Sequence, residues 1–281
     1  MEVKLSIISI IIGVIGVIIG IIGLYPLITV LKNYKTKRKI RLLLGIKEHN
    51  IMILTFPSFG ICCPEHREQE NNDILNEASE KRCFFHLTSN KTLQHNFRVY
   101  PTVSLAEVRS IGYLNSILNI IGITPEIESD AQERKDKTFT YDMISLGFDC
   151  FKTMEILRNN PFFDKTSDYK FNIIGLNNMY TMKSDVNWGI IMRLHNDEDK
   201  IRIICAGFNE WGTSGAAFCL ANKYNEILKK IRKKYPLKSI LKIPDFLCFI
   251  LSHPETGDET ADIMSIWMKD YKEDNKINKI C

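Results

Sequence analysis

Residues Ile201 to Ala217 read IRIICAGFNEWGTSGAA, and this stretch decides the fold. An apolar run at 201–206 leads into a loop with glycines at 207 and 212, after which small residues begin a further apolar segment. A strand followed by a glycine turn and a helix is the repeating unit of α/β proteins. The pattern predicts a strand at 201–206 and a long helix at 213–234.

Segments of the same kind lie along the rest of the chain. We expect helices at 104–121 and 150–158, and strands at 50–56, 124–128, 141–146, 170–174, 187–194, 245–251 and 261–268. Ser104 and Glu107 have the spacing of a capping box at the start of the first helix. The predicted class is α/β, a Rossmann-like three-layer domain with a mostly parallel sheet and antiparallel additions.

A membrane segment is expected near the beginning of the sequence, because residues Leu5–Leu31 contain no charged side chain. As a helix this run would be about 40 Å long, enough to cross a hydrocarbon core of about 30 Å. No small-residue cleavage site follows it, so it predicts a permanent transmembrane helix. A buried core helix and an unusually long signal peptide are the alternatives.

The charges beside this run predict its orientation. Six cations follow it within ten residues, namely Lys32, Lys35, Lys37, Arg38, Lys39 and Arg41. Lys and Arg accumulate on the cytoplasmic side of membranes. We therefore expect a single-pass protein of the cell membrane, with a short extracytoplasmic segment at 1–4, the span at 5–31 and a basic juxtamembrane linker at 32–48. A cytoplasmic domain follows at 49–270, with an irregular insertion at 57–100. A polar tail at 271–281 ends the chain.

The charge of the large domain argues against nucleic acid as a partner. Residues 1–41 hold seven of the 37 cations and one of the 33 anions. The remainder is therefore slightly acidic, with 30 cations and 32 anions. Phosphate-backbone binding needs a basic face. The eight cysteines, several of which lie in apolar segments, fit reduced thiols in a cytoplasmic domain.

Four glycines form a stripe within the predicted span. Gly13, Gly16, Gly20 and Gly23 follow a 3-4-3 spacing, which places them on one helix face. Small residues at such spacing let two membrane helices pack closely, so the stripe predicts a homo-oligomer. The alternative is that glycine is simply common in membrane helices.

The glycine loop is the first candidate ligand site. Gly207 and Gly212 have the spacing of a phosphate-binding loop, but Thr213 stands where that motif has lysine. This departure excludes a phosphate-loop ATPase. The sequence leaves two interpretations of the loop. Either its backbone amides and the Thr213 and Ser214 hydroxyls bind an anionic group, or its small residues serve helix packing and capping.

A second set of candidate residues follows the other strands. Ser58 comes after the first strand, and Gly147, Asp149 and Cys150 follow the third. If the strands are parallel, these residues meet the glycine loop at one edge of the sheet, where ligands of α/β proteins bind. Asp149 is then a ribose-binding group, a base or an N-cap, and Cys150 a nucleophile or a packed thiol.

Two further features contain candidate ligand-binding residues. Glu210 and Trp211 lie within the glycine loop, where their side chains either face a ligand or pack on the sheet. Two Cys-x-x-His pairs, Cys63 with His66 and Cys83 with His86, are consistent with a zinc site or with incidental residues of an insertion. No other cofactor is indicated.

Three functions fit these features. The first is a membrane-anchored cytoplasmic sensor or effector that binds a small anionic or nucleotide-like ligand. The second is a membrane-tethered hydrolase or transferase of nucleotides or sugars, with Asp149, Cys150 and Glu210 as its candidate groups. The third is a structural or interaction protein without catalysis. The sequence does not decide whether the protein is an enzyme.

Overall fold

The computed structural model of the protein describes fifteen stretches of the chain. They are residues 28–46, 51–57, 59–62, 84–86, 99–130, 141–148, 150–158, 160–167, 170–173, 179–181, 187–195, 200–207, 209–234, 243–270 and 276–279.

These residues contain five α-helices and a short 3₁₀ helix, Asp258–Thr260. The helices are α1 at 28–44, α2 Leu105–Ile120, α3 Phe151–Arg158, α4 Glu210–Asn222 and α5 Tyr224–Lys234. The strands are β1 Met52–Phe56, β2 Phe59–Cys62, β3 Phe84–His86, β4 Val99–Thr102, β5 Glu126–Ser129, β6 Asp142–Leu146, β7 Phe163–Ser167, β8 Lys170–Ile173, β9 Met179–Thr181, β10 Trp188–His195, β11 Ile201–Gly207, β12 Phe246–Leu251, β13 Asp262–Asp270 and β14 Lys276–Lys279.

One large sheet forms the centre of the fold, so the predicted α/β class is confirmed. Its strand order is β14-β13-β12-β10-β11-β6-β1-β5. The four strands β5, β1, β6 and β11 are mutually parallel, whereas the pairs from β11 through β10, β12 and β13 to β14 are antiparallel. Only β10 and β13 of these eight strands therefore run against the others, although the antiparallel part is larger than the sequence indicated.

Both faces of the large sheet are buried, which makes three layers. On one face, residues such as Leu54, Ile144 and Ile203 pack with apolar side chains of α1, α2, α4 and α5. On the other face, the alternate residues, among them Ile190, Met192 and Ile204, pack with Phe162 and with side chains of α3. This two-residue alternation explains why β1, β6 and β11 read as continuous apolar runs.

The connections after β1 and β6 leave the sheet on opposite faces. After β1 the chain forms α2 on the face with Leu54, and it then returns as the neighbouring strand β5. After β6 the chain forms α3 on the other face, where Ile156 packs with Ile53 and Met143. The strand order reverses between β1 and β6, and this reversal is the switch point at which open α/β sheets bind ligands.

Helix boundaries follow from capping. Ser104 caps α2 by accepting a hydrogen bond from the Glu107 backbone N–H at 3.2 Å, as the capping box predicts. The predicted helix at 213–234 is instead two helices, and the first begins earlier, because Asn209 is its N-cap and Lys223 ends it. The sequence suggested Thr213 or Ser214 as the N-cap. The residue that caps the helix is instead Asn209, whose side-chain oxygen accepts a hydrogen bond from the Gly212 N–H.

Strands occur in two segments that the sequence predicted to be irregular or polar. The insertion at 57–100, predicted to be irregular, contributes the three-stranded antiparallel sheet β3-β2-β4. A second small sheet, β7-β8-β9, follows α3. The tail at 271–281, predicted to be polar, supplies edge strand β14, which pairs antiparallel with β13.

The predicted linker at 32–48 is helical in its described part, since α1 extends to residue 44. The apolar run at 5–31 and its glycine stripe (Gly13, Gly16, Gly20 and Gly23) fall almost entirely outside the described residues. Among the residues that the structure describes, no helix combines the length and the apolar character needed to cross a membrane.

Candidate functional site

The glycine loop is a close contact between the start of α4 and the sheet. Gly189 of β10 is paired with Gly207 of β11, and both lie directly against Gly212 of α4. A Cβ at Gly207 would overlap the backbone at Gly212, and one at Gly212 would overlap the carbonyl group of Trp188. Three glycines therefore let helix backbone touch strand backbone, which is the packing interpretation of this loop.

The polar side chains of the loop are satisfied inside the protein. The Thr213 hydroxyl accepts a hydrogen bond from the Gly207 N–H at 3.0 Å, and the Asn209 side chain accepts one from the Gly212 N–H at 2.9 Å. Ser214 is completely buried and donates to Asp258 at 2.6 Å. The two hydroxyls that the sequence assigned to an anionic ligand thus hold the loop and the helix in place.

Glu210 and Trp211, by contrast, lie at the accessible end of α4. Glu210 is exposed and Trp211 is half-buried. Helix geometry leaves the N–H groups of these first two residues outside the hydrogen-bond ladder of α4. They lie where the positive end of the helix dipole is concentrated.

An arginine of α2 lies over this end of α4. The guanidinium carbon of Arg109 is 4.5 Å from the centre of the Trp211 ring, a cation–π stack. Its Nε atom is 3.5 Å from Asp258 Oδ2, an ion pair longer than a hydrogen bond. The Arg109 plane is therefore fixed on one face by Trp211 and along one edge by Asp258, while part of the side chain remains exposed.

Asp258 is the centre of a polar cluster that orders this region. The carboxylate is buried and accepts hydrogen bonds from the Ser214 hydroxyl and, at 3.1 Å, from Tyr113. Burial, and then the charge of Asp258, raises the pKa of Tyr113, so the phenol keeps the proton that it donates. The cluster joins α2, α4 and the loop after β12.

The turn after β6 lies against the end of β1 and against α2. Gly147 has a positive φ of 74° and donates its N–H to the Cys205 carbonyl at 3.0 Å, which joins the ends of β6 and β11. Pro57, after β1, and the buried Glu107 of α2 are its nearest neighbours. The parallel strands therefore bring the ends of β1, β6 and β11 to one edge, as the sequence predicted.

Cys150 is buried and lies beneath α3. The Ser145 hydroxyl donates to its sulfur at 3.3 Å, and the Thr55 hydroxyl is 3.9 Å away. Burial raises the pKa of the Cys150 thiol more than the hydrogen bond from Ser145 lowers it. A buried thiol with a raised pKa is poorly suited to act as a nucleophile, so the surroundings of Cys150 favour the packed-thiol interpretation.

Several predicted site residues cannot be placed. Ser58, Asp149 and the predicted zinc ligands Cys63, His66 and Cys83 lie outside the described residues, and of His86 only its position in β3 is described. Within the described part of the chain, no group of three or more His, Cys, Asp or Glu side chains is arranged to hold a metal ion.

The structure adds site residues that sequence reasoning missed, chiefly Arg109, Tyr113 and Asp258. Arg109 and Tyr113 lie within α2 without any motif around them. Asp258 is 44 positions from its partner Ser214. These three residues come together through tertiary packing, chiefly that of α2 on α4. No motif in the local sequence could therefore have identified them.

Comparison of the chain with protein-family models, curated proteins and solved structures gives no match. Function is therefore inferred from the chemistry of this edge of the sheet.

Proposed function

We propose that the protein is a membrane-anchored ligand-binding protein, a sensor or effector, whose head binds a small anionic, nucleotide-like molecule at the carboxyl edge of the sheet. The observation that carries the proposal is Arg109, a cation held in a fixed plane by Trp211 and Asp258 at the start of α4. The anchor is proposed from the charge-free run Leu5–Leu31 and the cations that follow it.

The chemistry of Arg109 favours an anionic partner. A guanidinium carries five N–H donors in one plane, and the contact with Asp258 engages only the Nε side. The remaining Nη groups form a fork that matches phosphate or carboxylate. The neighbouring N–H groups of Glu210 and Trp211 add to the positive potential at the end of α4.

The position of Arg109 favours a ligand rather than a purely structural role. It lies beside the start of α4, which follows the carboxyl end of β11. Ligands of open α/β sheets bind beyond the carboxyl ends of the strands. The enzyme hypothesis has less support, because the burial of Cys150 and its raised pKa disfavour a nucleophilic role.

Calorimetry of the detergent-solubilised full chain against a panel of nucleotides, dinucleotides and sugar phosphates tests the proposal. We expect one or more of them to bind, and Arg109→Gln to weaken binding by about tenfold to a hundredfold, the value of one charge-assisted contact. Arg109→Lys should recover only part of the affinity, because lysine keeps the charge but loses the planar fork.

Arg232→Gln on α5 is the matched control, since it removes the same charge from a partly exposed arginine of another helix and should leave binding unchanged. Absence of binding across the panel, or equal affinity in the Arg109 and Arg232 variants, contradicts the proposed site.

A further inference from the structure

Helix α1 has two halves with different surroundings. From residue 28 to 35 every side chain is exposed, including the apolar Ile28, Leu31 and Tyr34. From residue 40 onward it enters the core, where Ile40, Leu43 and Leu44 are completely buried. The first half therefore projects away from the described part of the head, while the second half belongs to it.

The buried half of α1 ends at the edge where the parallel strands begin. Gly45 has a φ of 74° and donates its N–H to the Arg41 carbonyl at 2.8 Å, which closes the helix. The Arg193 guanidinium lies directly against Gly45. A cation at a helix C-terminus is favoured by the helix dipole.

A chain of polar groups holds Arg193 in this position. Arg193 Nη2 is 3.2 Å from His195 Nε2, and His195 Nδ1 is 2.5 Å from Asp245 Oδ1. His195 ends β10 and Asp245 precedes β12, so both lie at the amino edge of the sheet. Arg41 adds a contact at the same edge, donating to the Ile121 carbonyl at the end of α2 at 3.1 Å.

The attachment of α1 and the candidate ligand site therefore lie at opposite edges of the sheet. Helix α2 runs from one edge to the other, because Arg109 of the candidate site is near its beginning and Ile121, which contacts α1, caps its end. Its 16 residues span about 24 Å. A membrane segment that continues into α1 would approach the head from the edge that lacks the candidate site.

We propose that the exposed half of α1 lies among anionic lipid headgroups, with the amino edge of the sheet toward the bilayer and the candidate ligand site facing away from it. Lys32, Lys35, Lys37 and Arg38 are exposed on this half and follow directly after the charge-free run. Each basic residue near an anionic surface contributes about 1 kcal/mol. The inference rests on the proposed membrane anchor.

The dimensions fit this arrangement. Ile40, the first completely buried side chain, follows Leu31, the last residue of the charge-free run, by nine positions. Nine positions correspond to about 14 Å of helix. A headgroup layer is about 5–8 Å thick on each side of the hydrocarbon core. Lys32 and Lys35 therefore fall within the depth of this layer, and Lys37 and Arg38 lie just beyond it.

Fluorescence energy transfer to a lipid acceptor tests the orientation. The full chain, reconstituted in phosphatidylcholine vesicles with or without phosphatidylglycerol, carries one donor dye at either end of α2. The labelling sites are the exposed Asn119 and Leu105, each changed to Cys in a background in which Cys62, Cys63, Cys83 and Cys281 are Ser. The acceptor is a headgroup-labelled lipid in the outer leaflet.

On anionic vesicles we expect higher transfer efficiency from residue 119 than from residue 105. Lys32, Lys35 and Lys37→Gln should reduce this difference, and the same three residues changed to Arg should preserve it, because both sets suit a helix but only the second keeps the charge.

Equal transfer from the two ends, higher transfer from residue 105, or a difference that is the same on neutral and anionic vesicles would overturn the inference. Flotation of the same samples gives a separate result. A chain that does not float with the vesicles contradicts the membrane anchor, whereas a chain that floats without the expected difference contradicts only the orientation.

Discussion

At the residue scale, the spacing of Gly207 and Gly212 is compatible both with an anion-binding loop and with close packing of a helix on a sheet. Gly207 and Gly212 suggested an anion-binding loop, and the strand–turn–helix context of that interpretation is correct. Their actual contact is with each other and with Gly189, a residue that no local pattern connects to them. A close approach between backbones depends on the pairing of β10 with β11, so the sequence of the loop alone could not reveal it.

Substitution of Gly212 by Ala should destabilise the fold. The new Cβ would overlap the Trp188 carbonyl, a backbone group that cannot rotate away, so we expect a loss of about 1–3 kcal/mol in the free energy of unfolding. Urea denaturation followed by circular dichroism measures it. Gly112→Ala in α2 is the control, because no atom lies within 4 Å of the new methyl group.

This control should stabilise the protein by about 0.5–1 kcal/mol, since alanine is the better helix former. If both variants were stabilised, the close packing of α4 on β10 and β11 would be refuted.

The buried thiols should make the protein less stable at alkaline pH. Burial raises the pKa of Cys219 from its ordinary value of 9.0 to about 12. Above pH 9 the unfolded chain therefore loses a proton that the folded chain keeps, and stability falls as the pH rises toward 12. Each pH unit in this window removes up to about 1.4 kcal/mol for this thiol.

The measurement is the free energy of unfolding between pH 8 and 11, compared between the wild type and Cys219→Ala to subtract the effect of other groups. The advantage of the wild type should shrink as the pH rises. A difference that stays constant across this range would mean that the thiol titrates normally in the folded state.

At the scale of single elements, the sequence predicted most of the sheet and helices but misjudged α1. Apolar runs identified β1, β6, β10, β11, β12 and β13, because both faces of these strands are largely buried. The six cations suggested a basic juxtamembrane linker, and the structure has a helix there. The decisive residues are Ile40, Leu43 and Leu44, whose burial depends on contacts with α2 and α5 that the local charge pattern does not reveal.

The two halves of α1 should respond differently to the same substitution. Leu43→Ala removes a completely buried side chain, and we expect a loss of about 2–5 kcal/mol in the free energy of unfolding. Leu31→Ala, at a half-exposed side chain of the same helix, should change it by less than about 0.5 kcal/mol. Chemical denaturation of the full chain in detergent gives both values.

Equal effects of the two substitutions would show that α1 does not enter the core as described. A large effect at Leu43 alone would establish that the segment following the predicted span is part of the folded head.

At the scale of the whole molecule, two groups of polar residues lie at opposite edges of the sheet. The amino edge holds the end of α1 and the chain from Arg193 to Asp245, and the carboxyl edge holds Arg109, Trp211 and the ends of β1, β6 and β11. The sequence correctly predicted that parallel strands would bring Gly147 and Gly207 to one edge. It could not predict which cation lies there, because Arg109 reaches the site only through the packing of α2 against α4.

The central claim is that the head binds an anionic, nucleotide-like ligand at the carboxyl edge, and photolabelling tests it most directly. The full chain is irradiated with azido-ATP or azido-NAD, and the modified peptides are sequenced by mass spectrometry, with excess unmodified nucleotide as competitor. We expect competed labelling within residues 104–113, 147–150 or 207–214. Competed labelling confined to the amino edge, around His195 and Asp245, or no competed labelling at all, would contradict it.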